Sequence, residues 1–243
     1  MSGLCGVIAL KEGVDVVALN RRLMDGLRHR GPDGLQEWNG KGAAIGFLAL
    51  HVRRGDPPVR QPLRLSDGRI CVADAHIGDP ARLLAALDWP AGQPPPDDAR
   101  CIALALERWG VDFWRYVDGD YAVALWDPAR RDLLLVRDRI GVRPMFHVRT
   151  SDLFAFSSEG GPLWGLPGVG GAIEDATVAE VWSQRIISPA AWRDRPGTVG
   201  VLPAAHRLET GAQGVPRVSR FWTLAPPAPL RLRGEEAYVE AFR

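Results

Sequence analysis

The sequence predicts an α+β fold built on antiparallel sheets. Three observations point there: strand-like runs outnumber helical stripes, the helices stand apart from the strand runs, and no βαβ alternation appears. Forty-seven glycines and prolines in 243 residues add many turn signals.

Taken in order, Leu4 to Leu10 is a short apolar run that reads as a strand. Val14 to Leu27 carries apolar residues at 16, 19, 23 and 27, a helical stripe with Asp15 placed to cap it. The cluster Arg30-Gly31-Pro32-Asp33-Gly34 turns the chain. Ala43 to Val52 and Arg69 to Ala75 read as buried strands, the second entered through a Ser66-Asp67-Gly68 hairpin turn. Pro80 to Leu87 is a short helix capped by Asp79, with Pro80 in its first position. After a proline-rich loop from Trp89 to Pro96, Asp97 to Trp109 is helical and Gly110 ends it. Four strands follow: Tyr121 to Trp126, Leu133 to Arg137, Met145 to Arg149 and Leu153 to Ser157, the first two joined by a hairpin loop over 127–131. Glu174 to Trp182 reads as a second short helix and Val199 to Leu208 as a further hairpin. The segment from Pro226 to Pro229 has the stiffness of a linker. Beyond it, Tyr238, Val239 and Phe242 share one face of a helix that stops after about two turns, as if a longer chain had been cut there.

Composition narrows function. Thirty basic residues, all but two of them arginine, face 29 acidic ones, so the net charge is +1. Such a chain has no surplus of positive charge for nucleic acid or an anionic membrane. Hydrophobic residues make up 46% and mean hydropathy is −0.09, which excludes disorder over most of the chain. Its longest mainly apolar run, Ala43 to Leu50, is far short of the ~20 residues that span a bilayer. Three cysteines without CxxC or Cys/His spacing argue against a disulfide framework and a metal site. No phosphate-binding glycine loop of the GxxxxGK[ST] or GxGxxG type occurs. The expectation is a cytoplasmic protein.

Four stretches change the reading when taken in order: Leu4-Cys5-Gly6-Val7-Ile8, Arg28-His29-Arg30-Gly31-Pro32-Asp33, Asp118 to Asp127, and Arg137-Asp138-Arg139-Ile140-Gly141-Val142-Arg143-Pro144-Met145. Together with Phe154 to Glu159 they resemble the class II glutamine amidotransferase domain of asparagine-synthetase-like proteins, over roughly residues 4 to 225. The resemblance implies a four-layer αββα sandwich of the N-terminal-nucleophile hydrolase type over residues 1–225, with 226–243 a linker and the start of a synthetase domain. It also implies glutamine hydrolysis by an N-terminal cysteine whose α-amine is the base, with ammonia passed to that synthetase domain. An α-amine suits this work because its pKa lies near 8. No cofactor is expected in this domain, with ATP and Mg expected in the synthetase domain. The implied partners are that domain and glutamine or a peptide substrate, and a homodimer is among the allowed assemblies.

Several positions depart from that pattern. Cys5 matches the nucleophile, but Met1 to Leu4 precede it, so its nitrogen is an amide unless four residues are excised. The other reading of Cys5 is a small hydrophobe buried in the first strand. Ala49 stands where the family has an arginine for the substrate carboxylate, and Arg53 lies about 13 Å further along an extended chain. Asp74 stands where the family has an oxyanion-hole asparagine, and a carboxylate there repels the developing charge. Ala75 retains an amide at the second oxyanion position. Asp98 fits the acid that holds the substrate amine, or else is a first-turn acid opposing the helix dipole. His76, which faces the same loop, reads as a surface residue rather than a base. Arg139 and Arg143 are candidates for a domain contact. Three outcomes stay open: an amide-forming enzyme of the lasso-peptide cyclase kind with glutamine hydrolysis impaired or lost, an active asparagine synthetase that exposes Cys5 by processing, or a non-catalytic module that shields the synthetase domain.

Overall fold

A computed structural model describes residues 1–51, 60–170, 196–211, 215–225 and 229–242. Twelve strands form two six-stranded sheets. They are β1 (Gly3–Ala9), β2 (Gly34–Gly40), β3 (Ala43–Ala49), β4 (Leu63–Arg64), β5 (Ile70–Ile77), β6 (Gly119–Asp127), β7 (Asp132–Arg137), β8 (Phe146–Arg149), β9 (Leu153–Ser157), β10 (Gly200–Val201), β11 (His206–Thr210) and β12 (Pro216–Arg220). One sheet runs β10-β8-β9-β1-β3-β2 and the other β12-β11-β7-β6-β5-β4, with every pairing antiparallel.

Side-chain alternation along the strands builds the layers. Leu4, Ile8, Ile45 and Phe47 of the first sheet meet Val72, Ala124, Trp126 and Leu135 of the second, forming the core between the sheets. The opposite face of the first sheet, with Cys5, Val7, Ala44 and Leu48, packs under α1 (Val16–Gly26) through Leu23 and Met24. On the far side, Cys71, Val123 and Val136 pack against Ile102 and Leu106 of α3 (Asp98–Trp109), which lies beside α2 (Pro80–Ala86). The order helix, sheet, sheet, helix is the predicted four-layer α+β sandwich.

Local chemistry accounts for the helix ends. Asp15, Asp79 and Asp97 each accept a hydrogen bond from a backbone N–H three residues on, at 3.0, 2.9 and 2.8 Å, as N-caps do. Gly110 closes α3 with φ of +57°, a backbone angle that carries strain for residues with a Cβ. Gly46 is needed for space: a Cβ there would lie 2.7 Å from Met24 and 3.1 Å from the Cys5 sulfur, so its absence lets α1 settle on the sheet.

Two expectations change. Gly34 to Gly40, without a strand signal in the sequence, is edge strand β2, paired along its whole length with β3. Val199 to Leu208 is not a hairpin: β10 joins β8 in the first sheet, whereas β11 pairs with β7 and β12 in the second. Pro203 and the positive φ of Ala205 redirect the chain between the sheets. The helix expected over Glu174 to Trp182 lies outside the described residues, as do Arg53 and most of the Pro226–Pro229 segment. The last helix, α4 (Glu235–Phe242), forms with no buried residue, and Phe242 is 95% exposed.

Candidate functional site

The N-terminal end of β1 gathers the polar groups. Ser2 sits just before the strand, and two contacts fix it. Its hydroxyl oxygen accepts the Leu50 N–H at 3.2 Å and its carbonyl accepts the Arg30 Nε–H at 3.3 Å. Gly3 pairs with Leu48, so Ser2 lies beside Ala49 at the end of β3. Even-numbered residues of β1 face the second sheet, as Leu4 and Ile8 do, which puts the Ser2 side chain on the face that looks toward β5.

Asp74 arrives from that second sheet. It lies opposite Ala122 in β5, on the same strand face as Val72, and is only 6% exposed. Arg143 Nη1 lies 3.3 Å from both of its carboxylate oxygens. Burial pushes the Asp74 carboxyl up, against the opposing pull of Arg143, the amino terminus, Arg30 and the Ser2 amide. Beside Asp74, Gln61 behaves like a missing strand: its side chain accepts the Ala73 N–H at 2.7 Å and donates to the Ala73 carbonyl at 2.9 Å.

A single buried acid aims Arg143. Asp138 accepts backbone N–H groups from Ile140, Gly141 and Val142 on Oδ1, and from Arg143 on Oδ2, at 3.1, 2.6, 3.0 and 3.0 Å. Arg137 braces the same loop from below by donating to the carbonyls of Arg143, Leu202 and Gly141. The Arg137 to Met145 stretch is thus a tightly bonded turn, and Arg143 points inward at Asp74 instead of outward at another domain. Arg139 stays near the surface, paired with Asp118 at 3.4 Å.

Arg30 forms the remaining wall. Its Nη1 pairs with Glu159 at 2.9 Å, and His29 Nε2 reaches the same carboxylate at 3.0 Å. Burial alone would push the Glu159 carboxyl up, but the hydrogen bonds from Arg30 and His29 outweigh it and hold it below the usual carboxylate range. Among the described residues, Arg30 Nη2 and Arg143 Nε are buried donors without a hydrogen-bond partner.

Cys5 is not brought to this cluster. It is three residues beyond Ser2, about 10 Å along a strand, and its side chain faces the other side of the sheet. The sulfur lies under α1, 3.5 Å from Asn20 Oδ1, with no exposure, and burial pushes its thiol far up. Such a thiol carries essentially no thiolate at neutral pH.

The other expected positions divide. Ala49 lies beside Ser2 but points its methyl into the core between the sheets, with no charge to offer a carboxylate. Ala75 extends β5 opposite Tyr121 and packs toward the helices. Asp98 opens α3 and lies 3.5 Å from His76 Nδ1, a partly exposed pair. His76 follows Asp74 by two residues on the same strand face, so this pair stands about 7 Å from Asp74 at the rim. Sequence reasoning missed Ser2, Gln61 and the inward role of Arg143. A small hydroxyl residue directly behind Met1 was the signal available for Ser2. Among the described residues there is no group of three or more His, Cys, Asp or Glu side chains placed to hold a metal ion, and no helix is long and apolar enough to cross a membrane.

Comparison with known proteins agrees with this architecture. The family described as the glutamine amidotransferase domain matches residues 1–222. Asparagine synthetase [glutamine-hydrolyzing] 3 of Bacillus subtilis is 24% identical over 234 residues, covering 92% of this chain and 37% of that protein. A putative asparagine synthetase [glutamine-hydrolyzing] of Mycobacterium bovis is 27% identical over 176 residues, covering 64% of this chain and 27% of the other. Among solved structures, the glutamine phosphoribosylpyrophosphate amidotransferase of B. subtilis, complexed with ADP and GMP, superposes with a TM-score of 0.62 at 15% identity, over 91% of this chain and 50% of that one. The last likeness is one of fold. This chain spans less than two fifths of the length of these two curated relatives. It belongs to the glutamine amidotransferase domain family, as a class II domain of the asparagine synthetase type.

Proposed function

We propose that this domain is the amidotransferase-type part of an asparagine-synthetase-like, ATP-dependent amide-forming protein, and that its own glutamine hydrolysis is impaired or lost. One observation carries the reading: the position expected to donate to an oxyanion is the Asp74 carboxylate, already engaged by Arg143. A carboxylate accepts hydrogen bonds and repels the negative oxygen of a tetrahedral intermediate. Loss of a single oxyanion donor lowers a rate about a hundred- to a thousand-fold. Ala49 adds to this, because it leaves the α-carboxylate of a bound glutamine without its expected cation.

Such erosion is tolerable where ammonia is not needed. An enzyme that joins an amine already present in its substrate to an acid activated by ATP, as macrolactam cyclases of the lasso-peptide kind do, needs no glutamine. The partner in this reading is a synthetase domain in the same protein, which would hold ATP and Mg, with a peptide as acceptor. The domain described here would then shield or position that partner.

The test is glutamate release from glutamine by the purified protein, with Cys5→Ala in parallel. The expected result is no release above the rate without protein. Release that Cys5→Ala abolishes would overturn the proposal and favour an active, processed glutaminase.

A further inference from the structure

We propose that one end of the sandwich carries a docking surface for the synthetase part of the same protein, formed by Val111, Tyr116, Ile140, Val142 and Leu224; the occupant, though not the surface, rests on the function proposed above.

Three segments far apart in the sequence are bonded together there. They are the short helical turn Gly110–Arg115 after α3 with the residues that follow it, the loop before β8, and the stretch that leaves β12. Arg139 Nη2 donates to the Trp114 carbonyl at 3.1 Å, and its Nη1 lies 3.4 Å from Asp118. The Ala205 N–H donates to the Asp138 carbonyl at 2.8 Å, and the Phe221 N–H to the Ala205 carbonyl at 2.9 Å. The Phe221 ring in turn meets Trp114 at 5.1 Å between centroids.

Each segment shows apolar side chains to the outside. Ile140 and Leu224 are each 73% exposed, and Val111, Tyr116 and Val142 are exposed as well. Single apolar residues scattered over a surface are ordinary, but here they share linked segments, and contiguous patches mark interfaces. The patch is also held stiff. Asp138 fixes the N–H groups of both Ile140 and Val142, Tyr116 stacks on Trp109 at 4.0 Å, and the Arg115 guanidinium lies 4.6 Å over the Trp114 ring. Side chains carried on a rigid backbone lose little freedom when a partner covers them.

Charge and connectivity select the occupant. The ions of these segments are already matched: Arg115 with Asp112, Arg139 with Asp118, and Arg143 with the buried Asp74. A patch whose ions are paired suits an apolar protein surface rather than a charged one. The chain itself leaves the fold across the patch, from Phe221 against Trp114 to Leu224 three residues on. A domain that follows residue 225 is therefore tethered here, at an effective concentration on the order of millimolar. Ile140 and Arg143 belong to one loop, so a partner seated on Ile140 lies at the end of the sandwich where Arg143 holds Asp74.

The test uses the full-length protein and single introduced thiols, because Cys5, Cys71 and Cys101 are all buried. Ile140→Cys and Val142→Cys report on the patch, and Lys11→Cys, past the opposite end of β1, is the reference. The probe is N-ethylmaleimide, read by peptide mass at the introduced thiol, and rates in urea give the intrinsic reactivity of each. Relative to those rates, Ile140→Cys and Val142→Cys should label roughly tenfold or more slowly than Lys11→Cys. Labelling as fast as at Lys11→Cys overturns the docking surface. So does protection that vanishes on dilution, which marks a second copy as the occupant. Equilibrium dialysis against ATP and Mg separates the two readings. Protein that binds ATP but leaves Ile140→Cys open loses the docking surface and keeps the proposed function, whereas protein that binds no ATP loses both.

Discussion

Replacing Asp138 by Asn tests how the site is held together. The side chain has no exposure and accepts four backbone N–H groups, three on one oxygen and one on the other. Asparagine keeps the shape but has only one acceptor atom. In its better orientation the oxygen keeps Ile140, Gly141 and Val142, while the NH2 group faces the Arg143 N–H, donor against donor. A hydrogen bond to a charged group contributes about 1.5–3 kcal/mol and a neutral one about 0.5–1.5. One charged bond is lost and three become neutral, for a total of about 6 kcal/mol. In a domain of this size each kcal/mol moves Tm by about 2–4 °C, so Asp138→Asn should melt about 12–24 °C below wild type. Thermal unfolding followed by circular dichroism at pH 7 measures this. A fall of less than 3 °C would show that the loop does not depend on Asp138, and the account of how Arg143 is aimed would fail with it.

Two further predictions concern pH. His147 is buried, stacked on Phe154, and burial pushes its pKa down to about 4. A lowered pKa means that the unfolded chain binds the proton more tightly, so the stability is complete above about 6.5 and is lost as pH falls toward 4. That amounts to about 2 kcal/mol by pH 5, visible as a lower urea midpoint that His147→Gln makes less steep in pH. A wild-type midpoint unchanged between pH 7 and 5 would contradict it. Glu159, held low by Arg30 and His29, stabilises the fold above its ordinary range near 4.5 and ceases to do so as pH falls through its folded value. Glu159→Gln should therefore lower the urea midpoint at pH 6 and match wild type near pH 3; equal midpoints at pH 6 would count against the pair.

What the sequence revealed was local. Asp15 and Asp79 were recognisable as caps because a cap bonds its own neighbours three residues on. Continuous apolar runs such as Leu133 to Val136 announced central strands. Strand β2 stayed hidden because its residues, Gln36, Glu37 and Asn39 among them, are polar and it lies at a sheet edge, with Trp38 its main contact to the core. The supposed hairpin at Val199 to Leu208 failed for a related reason: apolar alternation marks a strand but not its partner, and Leu208 pairs with Leu135, far away in the chain.

The site followed the same division. Asp74 was visible as a carboxylate in an awkward place, but its counter-charge comes from Arg143, 69 residues later, through a loop whose geometry depends on Asp138. The thiol of Cys5 drew attention by its chemistry. Strand parity, which turns position 5 toward α1 and position 2 toward the second sheet, becomes evident only once the layers on both sides are known.

The most direct test of the central claim, that the site is centred on Ser2, Asp74 and Arg143 with Cys5 outside it, is labelling of the purified protein with a diazoketone analogue of glutamine. Such a reagent alkylates a nucleophile beside a bound glutamine side chain, and peptide mass mapping locates the adduct. The account predicts that the peptide containing Cys5 stays unmodified in the folded protein. A stoichiometric adduct on the Cys5 sulfur, prevented by excess glutamine, would contradict it.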